Sequence, residues 1–244
     1  MPARGRLIAL CGIDGSGKTV QTGLLARRAR RAGWRVETVE FPRYEQGFFG
    51  KLIARYLRGE FSRDPGAVDP YLASLPFACD RWQAAPTLKR WLSRGAMVVC
   101  NRYVSANLAH QGGKIRSPRR RREFLHWIEQ LEYEVFSLPR PDVQVWLDMP
   151  PAMAVRLIAR KKRRRYLRQA KDIHESSLAH LEGTRRVYRE LASGRNWFRV
   201  ACARKDEPRA PEEIAEEIWD GLCRRLARGR TRGGPPVRGK GASK

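Results

Sequence analysis

The stretch from Leu7 to Gln21, LIALCGIDGSGKTVQ, constrains this chain more than any other. A short apolar run, Leu7 to Cys11, gives way at once to Gly12-Ile13-Asp14-Gly15-Ser16-Gly17-Lys18-Thr19, which fits the P-loop pattern GxxxxGK(S/T) at every fixed position. The pattern has the context it needs, with a strand-like run before it and a helical run, Lys18 to Arg31, after it. Glycines let the backbone curl until successive N–H groups point at phosphate oxygens, and the following helix adds its positive N-terminal end. Lys18 can then reach the β- and γ-phosphates, and the Thr19 hydroxyl can sit on a magnesium ion. The sequence predicts a site for a nucleoside triphosphate with Mg2+ as cofactor.

Further strands are expected at Trp34 to Phe41, Ala96 to Cys100, Val143 to Asp148 and Phe198 to Ala201. Between them, helical spacing covers about Phe48 to Leu57, Tyr71 to Arg94, Arg119 to Phe136, Pro151 to Lys161, Asp172 to Leu191 and Pro211 to Leu226. A kink or break is expected near Pro76 and Pro86, because proline removes a helical donor. Strands alternating with helices argue an α/β, P-loop NTPase fold: a five-stranded parallel sheet covered by helices on both faces. At 244 residues the chain suits one domain, taken as 1–227. Residues 228–244 are Gly, Pro, Arg and Lys with almost no apolar content, the composition of a disordered basic tail.

The formal net charge of +25 attracts phosphate-bearing partners from nucleotides to nucleic acid without choosing among them. The five cysteines are scattered and lack CxxC spacing, which argues a reducing, cytoplasmic setting without a disulfide framework or a zinc site. MPARGR has no apolar signal core, and no apolar run is long enough to span a bilayer, so no membrane partner is expected.

A P-loop alone leaves kinase, GTPase, helicase and transporter ATPase open. Arg43 follows the second expected strand and Arg102 the third, and in a parallel sheet those ends share the crevice of the P-loop. Two arginines there suit a second phosphate, which guanidinium binds bidentately. Phe77 and Arg81, four residues apart, share a helix face and could stack on a base and bond its exocyclic oxygen.

GIDGSGKTVQ, FPRY at 41 to 44, FACDRW at 77 to 82, NRYVSANLAHQG at 101 to 112, LPRPD at 138 to 142 and LDMPP at 147 to 151 together resemble the thymidylate kinase family. The resemblance runs in the family's order from about Leu7 to Ala201. It implies transfer of the ATP γ-phosphate to dTMP, giving dTDP and ADP. It also implies that Asp14 approaches the 3′-hydroxyl and the magnesium environment, and that Arg43 and Arg102 hold the dTMP phosphate. Phe77 would stack on thymine, Arg81 would bond its O4, and Asn107 would line the base pocket. Arg164 and Arg165 fall in a mobile basic lid, about 160–172, whose arginines neutralise the transferring phosphoryl group. Asp172 and Glu175 fall where the family closes acidic residues over the deoxyribose, although acids at a helix N-terminus look the same. A homodimer is implied as well, and the helix carrying Phe124, Trp127, Ile128 and Leu131 could offer an apolar face for it.

Three positions depart from the family pattern. Asn101 stands where an aspartate usually helps organise magnesium, His110 stands where many bacterial members carry a tyrosine beside the sugar, and Pro76 precedes the stacking Phe77. These departures keep a second reading open, a kinase for another deoxynucleotide. The charge, the KKRRR run at 161 to 165 and the basic tail keep a third: a nucleic-acid-binding P-loop protein with a weakened kinase site.

Overall fold

A computed structural model describes residues 4–61, 68–164 and 178–228. Five parallel strands form the central sheet: β1 (Arg6–Cys11), β2 (Val36–Glu40), β3 (Met97–Asn101), β4 (Val143–Asp148) and β5 (Trp197–Ala201). Their order is β2-β3-β1-β4-β5. β1 pairs with β3 on one side and β4 on the other, so the chain reverses direction of winding at the strand that feeds the P-loop. Open α/β sheets bind ligands at that reversal, beyond the carboxyl ends of the strands.

Continuous apolar runs explain the middle of the sheet. Leu7 to Cys11 and Met97 to Cys100 are buried without alternation, as strands covered on both faces must be. The helices are α1 (Lys18–Arg31), α2 (Gly47–Leu57), α3 (Pro70–Ser93), α4 (Val104–Gly112), α5 (Pro118–Glu129), α6 (Pro151–Arg164), α7 (Leu178–Leu191) and α8 (Pro211–Arg228). α1 packs with α8, whereas α3, α4, α5 and α7 pack with one another, so two separate groups of helices flank the sheet. None of the described helices is long and apolar enough to cross a membrane.

Four features differ from the sequence expectation. α3 runs unbroken through Pro76 and Pro86. The carbonyls those prolines leave unbonded, four residues earlier, belong to Leu72 and Trp82, both on the exposed side where water can take the bond. α4 and a two-stranded hairpin, β6 (Ala203–Arg204) with β7 (Glu207–Pro208), were not foreseen. The helix expected through Phe136 changes after Glu129 into a π-helical turn, Gln130–Val135. The apolar face proposed for dimer contact is used inside the protomer: Phe124 and Ile128 are fully buried, and Tyr71 packs edge-on against Phe124 and Trp127.

α4 and α7 approach at a pair of glycines. A Cβ on Gly183 would lie 2.6 Å from the Gly113 carbonyl oxygen, and one on Gly113 would lie 2.8 Å from the backbone of Gly183 and Thr184. Only glycine permits that separation. The contact places α7 beside the helix that carries Asn107 and His110.

Candidate active site

Gly12 to Thr19 leave the end of β1 and turn into α1. Gly12 has φ +145°, and a Cβ there would stand 2.6 Å from the Leu147 carbonyl oxygen, so the loop can begin in this way only with glycine. Lys18 Nζ donates to the carbonyls of Gly12 at 3.0 Å and Ile13 at 2.8 Å, which bends the ammonium back over the loop. Burial and the neighbouring Arg102 push that ammonium down to about 7.

Arg102 lies between the loop and the cleft beyond it. Its φ of +67° is rare for a residue with a side chain, and its backbone N–H bonds the Leu10 carbonyl at 3.0 Å. The guanidinium pairs with Asp14 through Nη2, while Nη1 meets His110 Nε2 at 3.0 Å. Arginine can only donate, so His110 Nε2 accepts, and its Nδ1–H donates to His180 Nε2 at 3.3 Å. Burial holds both imidazoles in the neutral form this chain of bonds requires, His180 at about 4. Burial alone would raise the Asp14 carboxyl, but Arg102, Lys18 and His110 outweigh it and hold it well below the usual carboxylate range.

A cleft opens beside this pair. Asp14, Phe77, Arg81, Arg102, Asn107 and His110 line it together with Phe41, Pro42 and Tyr44. The structure therefore brings six of the residues singled out in the sequence into one cleft. Arg43 does not line this cleft. Its Nε donates to Asp80 Oδ1 at 3.0 Å, its Nη2 to the Asp80 carbonyl at 2.9 Å and its backbone N–H to Asp80 Oδ2 at 2.9 Å. Arg164 closes α6, and Arg165, Asp172 and Glu175, with most of the expected lid, lie outside the described residues, as do residues 229–244 of the tail.

Several residues of the site were not foreseen. Glu132, fully buried in the π-helical turn, receives Arg81 Nε at 2.5 Å and Nη2 at 2.7 Å, and Asn107 Nδ2 at 3.0 Å. One signal pointed to it: Phe124, Ile128 and Glu132 fall at intervals of four, so a carboxylate extends a buried stripe. Glu40 accepts from Asn101 Nδ2 at 2.7 Å, and the same nitrogen donates to Thr19 Oγ1 at 3.2 Å. Asp148, at the end of β4, holds Arg185 of α7 at 2.6 Å and Arg199 of β5 at 2.6 Å.

A P-loop facing a cleft lined by aromatic and hydrogen-bonding side chains, with an arginine between them, is the arrangement of a nucleotide phosphotransferase. A family model described as Thymidylate kinase matches residues 10–214. Thymidylate kinase of Mycobacterium tuberculosis H37Rv is 32% identical over 202 residues, covering 80% of this chain and 91% of its own. Human thymidylate kinase is 31% identical over 153 residues, 63% of this chain and 65% of its own. The fold is shared with thymidylate kinase from Candida albicans, with a TM-score of 0.69 at 18% identity over 91% of this chain and 92% of that one. The chain belongs to the thymidylate kinase family, ATP-dependent phosphotransferases whose substrates are ATP and dTMP.

Proposed function

We propose that this chain transfers the γ-phosphate of ATP to dTMP in one in-line step, with the P-loop holding the donor and the adjoining cleft the acceptor. The observation that carries the reading is the position of Arg102, whose guanidinium touches Asp14 of the P-loop and His110 of the cleft at once. Gly12, Ile13, Asp14, Gly15, Ser16, Gly17, Lys18 and Thr19 take the triphosphate. Phe77 stacks on the base, Arg81 and Asn107 read its edge, His110 lies beside the sugar, and Arg102 holds the acceptor phosphate. Arg43 joins Arg102 by exchanging Asp80 for phosphate. Arg164, Arg165, Asp172 and Glu175 keep the roles the family resemblance implies. No covalent intermediate is needed, because alignment and positive charge are what phosphoryl transfer requires.

The residues at the end of β3 fit a magnesium ion. Among the described residues, Asn101 Oδ1 is buried without a hydrogen-bond partner, and Thr19 Oγ1 accepts only from Asn101 Nδ2, so each of these neutral oxygens would have a lone pair for a cation that prefers oxygen ligands. Asp14 contributes its charge nearby while paired with Arg102. Bound with ATP, magnesium neutralises charge on the β- and γ-phosphates.

Glu40 gives a prediction about Asn101. Asn101→Asp places two carboxylates at hydrogen-bond distance, and one of them takes up a proton. The single variant is expected to leave kcat within about twofold, whereas Asn101→Asp with Glu40→Gln raises it roughly tenfold, about 1.4 kcal/mol. Initial rates over a range of magnesium concentrations check this, and a tenfold gain from Asn101→Asp alone would remove Glu40 from the argument.

The function is tested by ADP release from ATP and magnesium with dTMP, dUMP, dCMP, dGMP or thymidine as acceptor. Turnover is expected to be fastest with dTMP and absent with thymidine, which offers Arg102 no phosphate. A different preferred monophosphate would keep the reaction and move the acceptor, whereas no acceptor-dependent turnover would favour nucleic-acid binding. We also propose a homodimer, for which exposed Phe48 on α2 and Leu72 and Trp82 on α3 supply apolar surface; sedimentation that stays monomeric at micromolar concentration would exclude it. Contact with nucleic acid through residues 228–244 is proposed from their charge, and a filter-binding signal unchanged in a chain ending at 227 would remove it.

A further inference from the structure

We propose that Glu132 decides which pyrimidine edge the cleft accepts, as a positioning residue acting through Asn107 and Arg81; this rests on assigning the cleft to the acceptor base. Glu132 faces no solvent, and its two oxygens are shared between the Arg81 guanidinium and the Asn107 amide. Asn107 Nδ2 has a second acceptor, the Ser74 carbonyl at 3.1 Å. Both N–H bonds of the amide are thus committed to acceptors. Turning the amide over would set its carbonyl oxygen against a carboxylate and a carbonyl, leaving buried acceptors facing one another.

The committed orientation leaves Asn107 Oδ1 as a buried acceptor without a partner, in a side chain that lines the cleft. Buried acceptors of this kind are rare unless a ligand or water serves them. Beside it stands Arg81, which can only donate. The wall therefore offers one donor group and one acceptor. Thymine matches with its O4 acceptor and its N3–H donor. Cytosine presents the reverse, an N4 amine and a bare N3, and would leave Arg81 facing a donor and Asn107 Oδ1 facing an acceptor. A site built to hydrogen-bond its ligand rejects a mismatch far more strongly than an apolar pocket does. Phe77 supplies stacking area to either base, so the sense of the edge rests on the Asn107 amide, and that amide takes its sense from Glu132.

The test compares dTMP with 5-methyl-dCMP, which keeps the methyl group and ring shape and inverts the edge. Calorimetry on the full chain is expected to give at least a roughly 100-fold preference for dTMP. Glu132→Gln removes the carboxylate that fixes the amide and leaves the Ser74 carbonyl as its one unaltered acceptor, so the sense of the amide is held less firmly and the preference should fall at least about tenfold, partly through tighter 5-methyl-dCMP binding. A purely structural role would weaken both ligands together, and an unchanged ratio overturns the inference. A wild-type protein that binds both ligands equally would instead sink the assignment of the cleft. Should Glu132→Gln fail to fold, the wild-type protein supplies the check by NMR. The Asn107 side-chain amide protons should be protected from exchange both before and after dTMP binds, and free exchange before binding overturns the inference.

Discussion

Replacing Arg102 by methionine is expected to lower kcat/KM for dTMP by about 10³-fold, close to 4 kcal/mol of transition-state stabilisation. The size follows from its position. The guanidinium is the group that contacts both the P-loop carboxylate Asp14 and the cleft imidazole His110. Methionine keeps much of the volume and removes every donor, so the charge proposed to hold the acceptor phosphate is lost. The loss extends to the loop, because Asp14 is held ionised chiefly against its own burial by Arg102. Arg102→Lys restores a charge without the planar fork and should recover only part of the rate. Steady-state kinetics with both substrates varied would decide it, and a loss smaller than tenfold would move Arg102 out of the reaction path.

Arg81→Met is expected to destabilise the fold by about 3–5 kcal/mol, since it strands Glu132 as a buried carboxylate without its counter-charge. For a domain of this size that corresponds to a fall in Tm of roughly 6–20 °C. Arg81→Met with Glu132→Leu added should regain most of the loss, because an apolar pair of similar volume relieves the burial of both charges. The double variant should remain poor at binding dTMP. Urea unfolding of the wild type and the two variants separates the terms, and equal stability of Arg81→Met and the wild type would show that Glu132 is satisfied without Arg81.

The two halves of the site were unequally legible in the sequence. The P-loop was readable because its chemistry fixes residue types at fixed spacing, and β1 and β3 because strands buried on both faces read as nearly unbroken apolar runs. Phe77 and Arg81 could be paired by helical spacing, and the structure places both in the cleft. α4 was invisible for a physical reason: nearly every side chain from Val104 to Gly112 is buried, Ser105, Asn107 and Gln111 included, so no polar face alternates with an apolar one. Glu132 extends the stripe of Phe124 and Ile128, but its flanking acids Glu129 and Glu134 mask that signal, and its contact with Arg81, 51 residues away, is one that local spacing does not encode. Arg43 was legible as a strand-end arginine, but its hold on Asp80 is a long-range contact that local spacing does not encode.

The glycine pair between α4 and α7 has a mechanical consequence. Where two backbones touch with no side chain between them, one helix can swivel about the contact but cannot slide along the other without driving carbonyl oxygens into peptide planes. Any relative movement of the two helices at this point is therefore confined to rotation about Gly113 and Gly183. α7 begins just after Asp172 and Glu175, which are expected to close over the deoxyribose, and His180, three residues before Gly183, meets His110. Rotation about a point near His110 would swing the start of α7 through a larger arc than its middle.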